Sequence, residues 1–141
     1  WLAVEPLYMR PDVCVIGFRG GEFSLYPDLF LTKEYWDEGI KMMRAINPNM
    51  KFEVHTDDLY LAQEFFVKNE IADHTWKFIH DIGLNWRSMR YAEHAIIANS
   101  SFFIFPRWLR NGVTIAPKYW GRRNTKVWSL PQNYYKRFQY I

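Results

Sequence analysis

Residues 13–21 read Val-Cys-Val-Ile-Gly-Phe-Arg-Gly-Gly, and this stretch decides the class of fold. A short, unbroken apolar run that stops at a Gly-Gly turn is the pattern of a buried strand, such as parallel sheets contain. The lone cysteine, Cys14, lies inside the run and reads as a small buried hydrophobe. Without a second cysteine no internal disulfide can form, and nothing points to an oxidising compartment.

Downstream of this strand the same rhythm repeats. Thr32 reads as the N-cap of a helix with acidic Glu34, Asp37 and Glu38 in its early turns. Apolar Trp36, Ile40, Met43 and Ile46 follow at helical spacing, and Asn47-Pro48 ends it. A second strand is expected over 51–56, stopped by Asp57-Asp58. A helix over 59–67 should follow, with Leu59, Ala62, Phe65 and Phe66 inward. Residues 78–82 read as a third, shorter strand, 87–93 as helix and 94–98 as a fourth strand ending at Asn99-Ser100-Ser101. A helix to about residue 109 must accommodate Pro106, which lacks a backbone donor. A fifth strand over 113–116 is closed by Pro117, and the segment 119–141 is aromatic, basic and without an assigned element.

Strands alternating with helices predict an α/β fold: one Rossmann-like parallel sheet with helices on both faces, spanning residues 1–141 as a single domain. The length suits one domain able to bury a core without metal or disulfide staples. Composition agrees, with 49% hydrophobic residues and 27 aromatic rings (7 Trp, 9 Tyr, 11 Phe), enough to line a cleft as well as a core. No apolar stretch approaches the roughly 18 residues of a membrane span, no signal peptide is visible, and the expected location is cytoplasmic. The chain opens on Trp1 and reads as the C-terminal part of a longer protein. The net charge of +3 is unevenly spread: residues 1–93 hold all 15 acids and ten basic residues, whereas 94–141 hold eight Lys and Arg and no acid. The C-terminal third is therefore expected to present a positive surface, suited to phosphate, an anionic sugar or nucleic acid, although a solvated basic tail explains it too.

In open parallel sheets ligands bind beyond the carboxyl ends of the strands. Three polar loops fall on that edge. In the first, Gly20 and Gly21 allow a sharp turn, Gly17 permits close approach, and Arg19 supplies a fork for two phosphate oxygens. An ordinary turn with Arg19 paired to a surface acid reads the same residues equally well. The loop fits neither G-x-G-x-x-G nor a Walker pattern. In the second loop, His55 and Asp57 share a strand face. They offer a metal only two ligands, and no other cluster has ligand spacing. Asp57 and Asp58 can accept from a base edge or sugar hydroxyls, and one of them is expected to cap the next helix. In the third, Asn99, Ser100 and Ser101 precede Phe102 at a helix start, where free N–H groups bind anions or are simply capped. His74, His80 and His94 read as scattered structural histidines. No Ser-His-Asp arrangement or nucleophile elbow is legible. The aromatic, basic tail (among it Trp120, Arg122, Arg123, Trp128, Tyr134, Lys136) has the chemistry to stack bases, or to face a neighbouring domain.

The run Ile-Ile-Ala-Asn-Ser-Ser-Phe at 96–102, with Ile-Ala-Pro-Lys-Tyr-Trp at 115–120, closely resembles the C-terminal signature of glycosyltransferase family 11, the α-1,2-fucosyltransferases. Thr56-Asp57-Asp58 resembles their Ser-Asp-Asp, and Gly17-Phe18-Arg19-Gly20-Gly21-Glu22-Phe23 a degenerate form of their His-x-Arg-Arg-Gly-Asp-Tyr, with Gly17 for the His, Gly20 for the second Arg and Glu22 for the Asp. The resemblance covers roughly residues 13–120. It implies the nucleotide-sugar half of a GT-B-like fold, binding GDP-fucose without a metal cofactor and passing fucose to a glycan acceptor with inversion. Arg19 would hold the β-phosphate, Asp58 with Asp57 the guanine edge, and Ser100 and Ser101 the rest of the diphosphate cradle. Glu22 is the candidate base for the acceptor hydroxyl, or equally an orienting partner for Arg19. A relative using another donor, or an inactive remnant, is the first alternative. A nucleic-acid-binding module is the third reading, although no known RNA or DNA motif is present, so nucleic acid is not the expected partner.

Overall fold

The computed structural model describes residues 9–119 and 135–141. Six strands form one all-parallel sheet in the order β3-β2-β1-β4-β5-β6. They are β1 (Val13–Phe18), β2 (Lys51–Thr56), β3 (Lys77–Ile79), β4 (His94–Ile97), β5 (Val113–Ala116) and β6 (Phe138–Tyr140). Between them lie helices α1 (Lys33–Ile46), α2 (Leu59–Lys68), α3 (Ile82–Tyr91) and α4 (Ser101–Trp108). All six residues of β1 are buried, as an uninterrupted apolar run requires of a central strand. From β1 the chain builds outward to β2 and β3 on one side, then crosses back to lay β4, β5 and β6 on the other. The order therefore reverses between β1 and β4, which is where doubly wound sheets open a crevice.

Alternation along β1 shows that helices cover both faces. Phe18 points into an aromatic cluster with Phe30, Trp36 of α1 and Phe65 and Phe66 of α2, at ring-centroid distances of 5.3–5.7 Å. Its neighbour Gly17 points the other way, against α3 and α4. A Cβ there would lie 2.7 Å from the Phe103 ring and 2.9 Å from Met89 Cε. The close approach that Gly17 permits is thus between a strand and two helices, and not between backbone and ligand. Phe30, Trp36 and the α2 rings close the first face, while Met89 and Phe103 close the second.

Several local expectations change. The third strand stops at Ile79, short of residue 82, because Asp81 caps α3 by accepting from Leu84 N at 2.7 Å. Helix α3 consequently begins five residues before the expected 87. Ile46, read in the apolar helical spacing of the first helix, and Leu59, expected inward, are the last residue of α1 and the first of α2 and stand exposed at 51% and 37%. Helix α4 keeps Pro106 inside it and buries that ring in place of a hydrogen bond. Strand β6 adds an edge that the pattern did not reveal. Of the tail, residues 120–134, including Trp120, Arg122, Arg123, Trp128 and Tyr134, lie outside the described residues.

The basic third also differs from a uniformly positive surface. Arg107 is wholly buried, donating to Thr114 Oγ1, to the Met89 and Ala92 carbonyls and to the Val113 carbonyl. Arg110 pairs with Glu93. Among the described residues no helix is long and apolar enough to cross a membrane.

Candidate functional site

The site grows from the ends of β1 and β2. Arg19, the first residue beyond β1, sets its guanidinium Nη1 2.9 Å from Asp57 Oδ2, and each side chain is about a quarter exposed. The other oxygen of the same carboxylate, Oδ1, accepts the Gly20 N–H at 2.9 Å. Gly21 stands at φ +38°, a left-handed conformation, and a Cβ there would meet Asp57 Oδ2 at 2.9 Å. The Gly-Gly pair is therefore needed for the first loop to close down on the second. A short 3₁₀ turn, Gly21–Leu25, follows and brings the Phe23 ring to 5.0 Å from the guanidinium carbon.

Asp57 is free for this role because Asp58 takes the other. The Asp58 carboxylate caps α2 through Leu61 N at 3.0 Å, and Thr56 Oγ1 accepts the Asp58 N–H at 3.0 Å. The two adjacent acids thus divide the work: Asp58 holds the helix and Asp57 faces the cleft.

Arg19, Thr56, Asp57, His80, Ile82, Asn85, Phe102 and Phe103 line a cavity of about 120 Å³. That is smaller than the roughly 300–1,000 Å³ of pockets that enclose drug-sized ligands, so it suits one portion of a larger molecule. Ile82 of α3 and Phe102 and Phe103 of α4 supply its apolar wall, and Arg19, Thr56, Asp57, His80 and Asn85 supply the polar one. The Arg19 Nε–H is buried with no hydrogen-bond partner among the described residues, so the fork carries donor capacity that the fold does not use.

Of the residues singled out by sequence, the structure gathers Arg19, Asp57 and Phe102 around one cavity, with Gly20 bonded to it through Asp57. Asn99, Ser100 and Ser101 end the adjoining strand but do not line it. The Asn99 amide donates to Leu29 O at 3.2 Å, Ser100 is buried at the start of α4 without a side-chain cap bond, and Ser101 is exposed. Glu22 is exposed on the 3₁₀ turn, and the partner of Arg19 is Asp57, not Glu22. His55 does not join Asp57 at a metal site. It is fully buried and its Nδ1 bonds Asn85 Oδ1 at 2.9 Å. Among the described residues no three His, Cys, Asp or Glu side chains gather as metal ligands would.

Sequence reasoning missed His80, Ile82, Asn85 and Phe103. The signal that would have found the first three is Asp81. Read as an N-cap, it puts the start of α3 at the carboxyl edge of the sheet, and its first turns then fall on the rim.

Beneath the cleft runs a buried polar row on β2. Glu53 receives both Nη atoms of Arg10, at 2.7 and 2.6 Å, and lies 3.9 Å from His55 Nε2. Burial opposes ionisation of Glu53, but the His55 imidazole and the Arg10 fork outweigh it and hold the carboxyl down at about 2.

No protein-family model matches this sequence, and no solved structure matches it. Among curated proteins the chain is similar to an α-1,2-colitosyltransferase of Escherichia coli, 34% identical over 99 residues, which cover 65% of this chain and 33% of that protein. The chain is thus related to a glycosyltransferase and spans about a third of the length of that relative.

Proposed function

We propose that this chain is the donor-binding part of an inverting glycosyltransferase that transfers fucose from GDP-fucose to a glycan hydroxyl, with no metal cofactor. One observation carries the reading. In a chain related to a glycosyltransferase, an arginine with unused donors stands at the carboxyl edge of a doubly wound sheet, beside the switch point, on a cavity sized for part of a nucleotide sugar.

The chemistry asks for such a group. As the bond from the anomeric carbon to the β-phosphate oxygen breaks, the electron pair leaves with GDP and negative charge builds there. A fixed cation stabilises that charge more in the transition state than in the ground state. Arg19 takes this role. Asp57, which faces the cavity, takes the acceptor role towards the guanine edge or a sugar hydroxyl that the family resemblance gives to Asp58. Glu22, exposed on the neighbouring turn, remains the candidate to receive the proton of the attacking hydroxyl.

A second reading keeps the site and changes the sugar. The name of the relative specifies colitosyl transfer, which favours a donor other than GDP-fucose. Titration calorimetry on the 141-residue chain tests the shared part. GDP should bind at least about tenfold more tightly than GMP, because only the second phosphate reaches Arg19, and Arg19→Ala should remove that difference. Equal affinity for the two nucleotides, or an Arg19→Ala chain that binds GDP like the parent, would sink both readings. Turnover of GDP-fucose against the corresponding colitose donor, in the full-length protein, separates them.

A further inference from the structure

We propose that Asn85 is a positioning residue of this site: held from behind by His55, it sets the Thr56–Asp57 turn so that the Asp57 carboxylate meets Arg19. This rests on reading the Arg19–Asp57 cavity as the seat of the diphosphate.

Asn85 is 4% exposed on the first turns of α3 and lines the cavity. Its Nδ2 donates to the Thr56 carbonyl at 2.9 Å, and its Oδ1 lies 2.9 Å from His55 Nδ1. The two contacts together decide the chemistry. A carbonyl accepts only from the amide nitrogen, so Oδ1 faces His55, and the proton between them belongs to His55 Nδ1. His55 cannot turn away, because it is fully buried on β2 between Asn85 and the Glu53–Arg10 pair.

The turn it holds has little freedom left. The Thr56 carbonyl is tied to Asn85, the Thr56 hydroxyl to Asp58 N, and the Asp58 carboxylate to Leu61 N. Asp57 sits between these anchors and projects towards the first loop, where it receives Gly20 N–H and Arg19. Releasing the Thr56 carbonyl frees one side of the turn. An unpaired carbonyl in a buried setting then drives local rearrangement.

The test reads the Gly20 amide, the donor to Asp57, by hydrogen exchange, and GDP affinity by calorimetry, with the Ile16 amide of β1 as the control for intact fold. Asn85→Leu should speed Gly20 exchange about tenfold, leave Ile16 protected and weaken GDP about tenfold. His55→Asn, which returns an N–H near the Nδ1 position, should keep both properties, and His55→Phe should lose them. That split is one a merely space-filling histidine would not produce. Should Asn85→Leu fail to fold, Asn85→Asp keeps the acceptor for His55 and loses the donor to Thr56, and Gly20 exchange should rise in it as well.

Unchanged Gly20 protection in these Asn85 variants overturns the proposal, whether or not GDP binds. If Arg19→Ala loses GDP while Asn85→Leu binds it as the parent does, Asn85 does not position the site, and the donor reading stands. If Gly20 responds to Asn85 but the parent does not bind GDP, the donor reading falls instead.

Discussion

Two arginines at opposite ends of the sheet bear the same charge and are used in contrary ways. Arg107, on α4, is 0% exposed, and its guanidinium meets only neutral oxygens. Two of these, the Met89 and Ala92 carbonyls, belong to the end of α3, where the helix dipole favours a cation. Burial pulls its pKa down to about 10, which leaves it charged at neutral pH. Arg19 is a quarter exposed, has one carboxylate partner and lines a cavity, and its buried Nε–H has no partner among the described residues. Residue type and charge do not distinguish them. The difference lies in whether the fold itself satisfies the guanidinium, and only the second arrangement leaves donors for a ligand.

The largest effect should come from Arg107. Arg107→Met keeps most of the volume but strands three carbonyls and a hydroxyl in the interior. Each unpaired buried group costs about 1–3 kcal/mol, so the variant should lose at least about 3 kcal/mol in urea unfolding. A midpoint like that of the parent would erase the contrast between the two arginines.

The next effect concerns the polar row beneath the Arg19 end. Glu53 is held at about 2 in the folded chain, against an ordinary value of 4.5 when unfolded. A carboxyl lowered on folding contributes stability above its unfolded pKa and loses it as pH falls towards the folded one. The contribution is roughly 3 kcal/mol at neutral pH and should fade between about pH 4.5 and 2. Urea midpoints of the parent should therefore fall steeply across that window, and Glu53→Gln should flatten the fall. Parallel curves for the two proteins would mean that this row is not an ionised network.

The strands and the loops at their ends were readable from sequence, the contrast between the two arginines was not, and the unread part has a consistent cause. β1, β2 and β5 were legible to the residue, because unbroken apolar runs bounded by Gly, Asp or Pro have few alternatives. Arg19 and the two aspartates were legible as a group because strand ends converge in any parallel sheet. Which aspartate caps α2 was not legible. Adjacent acids are equivalent in sequence, and only the Gly20 N–H and Leu61 N–H, reached through space, tell them apart. Asn85 was invisible for the same reason. Its importance lies in His55 and Thr56, about thirty residues away, and the late expected start for α3 put it in a loop. Arg107 looked like surface charge because nothing local marks an arginine as internal.

Gly17 lies between the two arginines and tests how tightly their halves are joined. Gly17→Ala places a methyl 2.7 Å from Phe103, a rigid ring that also lines the cavity, and 2.9 Å from Met89. Overpacking of this kind costs about 1–3 kcal/mol, less than the loss of Arg107. Because Phe103 must move, GDP affinity should drop alongside the unfolding midpoint. A stability loss with unchanged GDP binding would show that the α4 wall is not part of the ligand seat.

The smallest expected change in stability is at Arg19, and it sharpens the comparison most. Partly exposed ion pairs are worth about 0.2–1 kcal/mol, since water and salt screen them and ordering two side chains has an entropic cost. Asp57 would not be stranded by Arg19→Met, because its Oδ1 still accepts the Gly20 N–H and its side chain is 29% exposed. The urea midpoint should therefore move by less than about 1 kcal/mol, while the tighter binding of GDP over GMP disappears. A substitution that removes recognition and leaves the fold intact identifies a residue whose donors are directed at a ligand. A loss matching that of Arg107→Met would instead make Arg19 a second internal clamp, and the cavity beside it a packing gap.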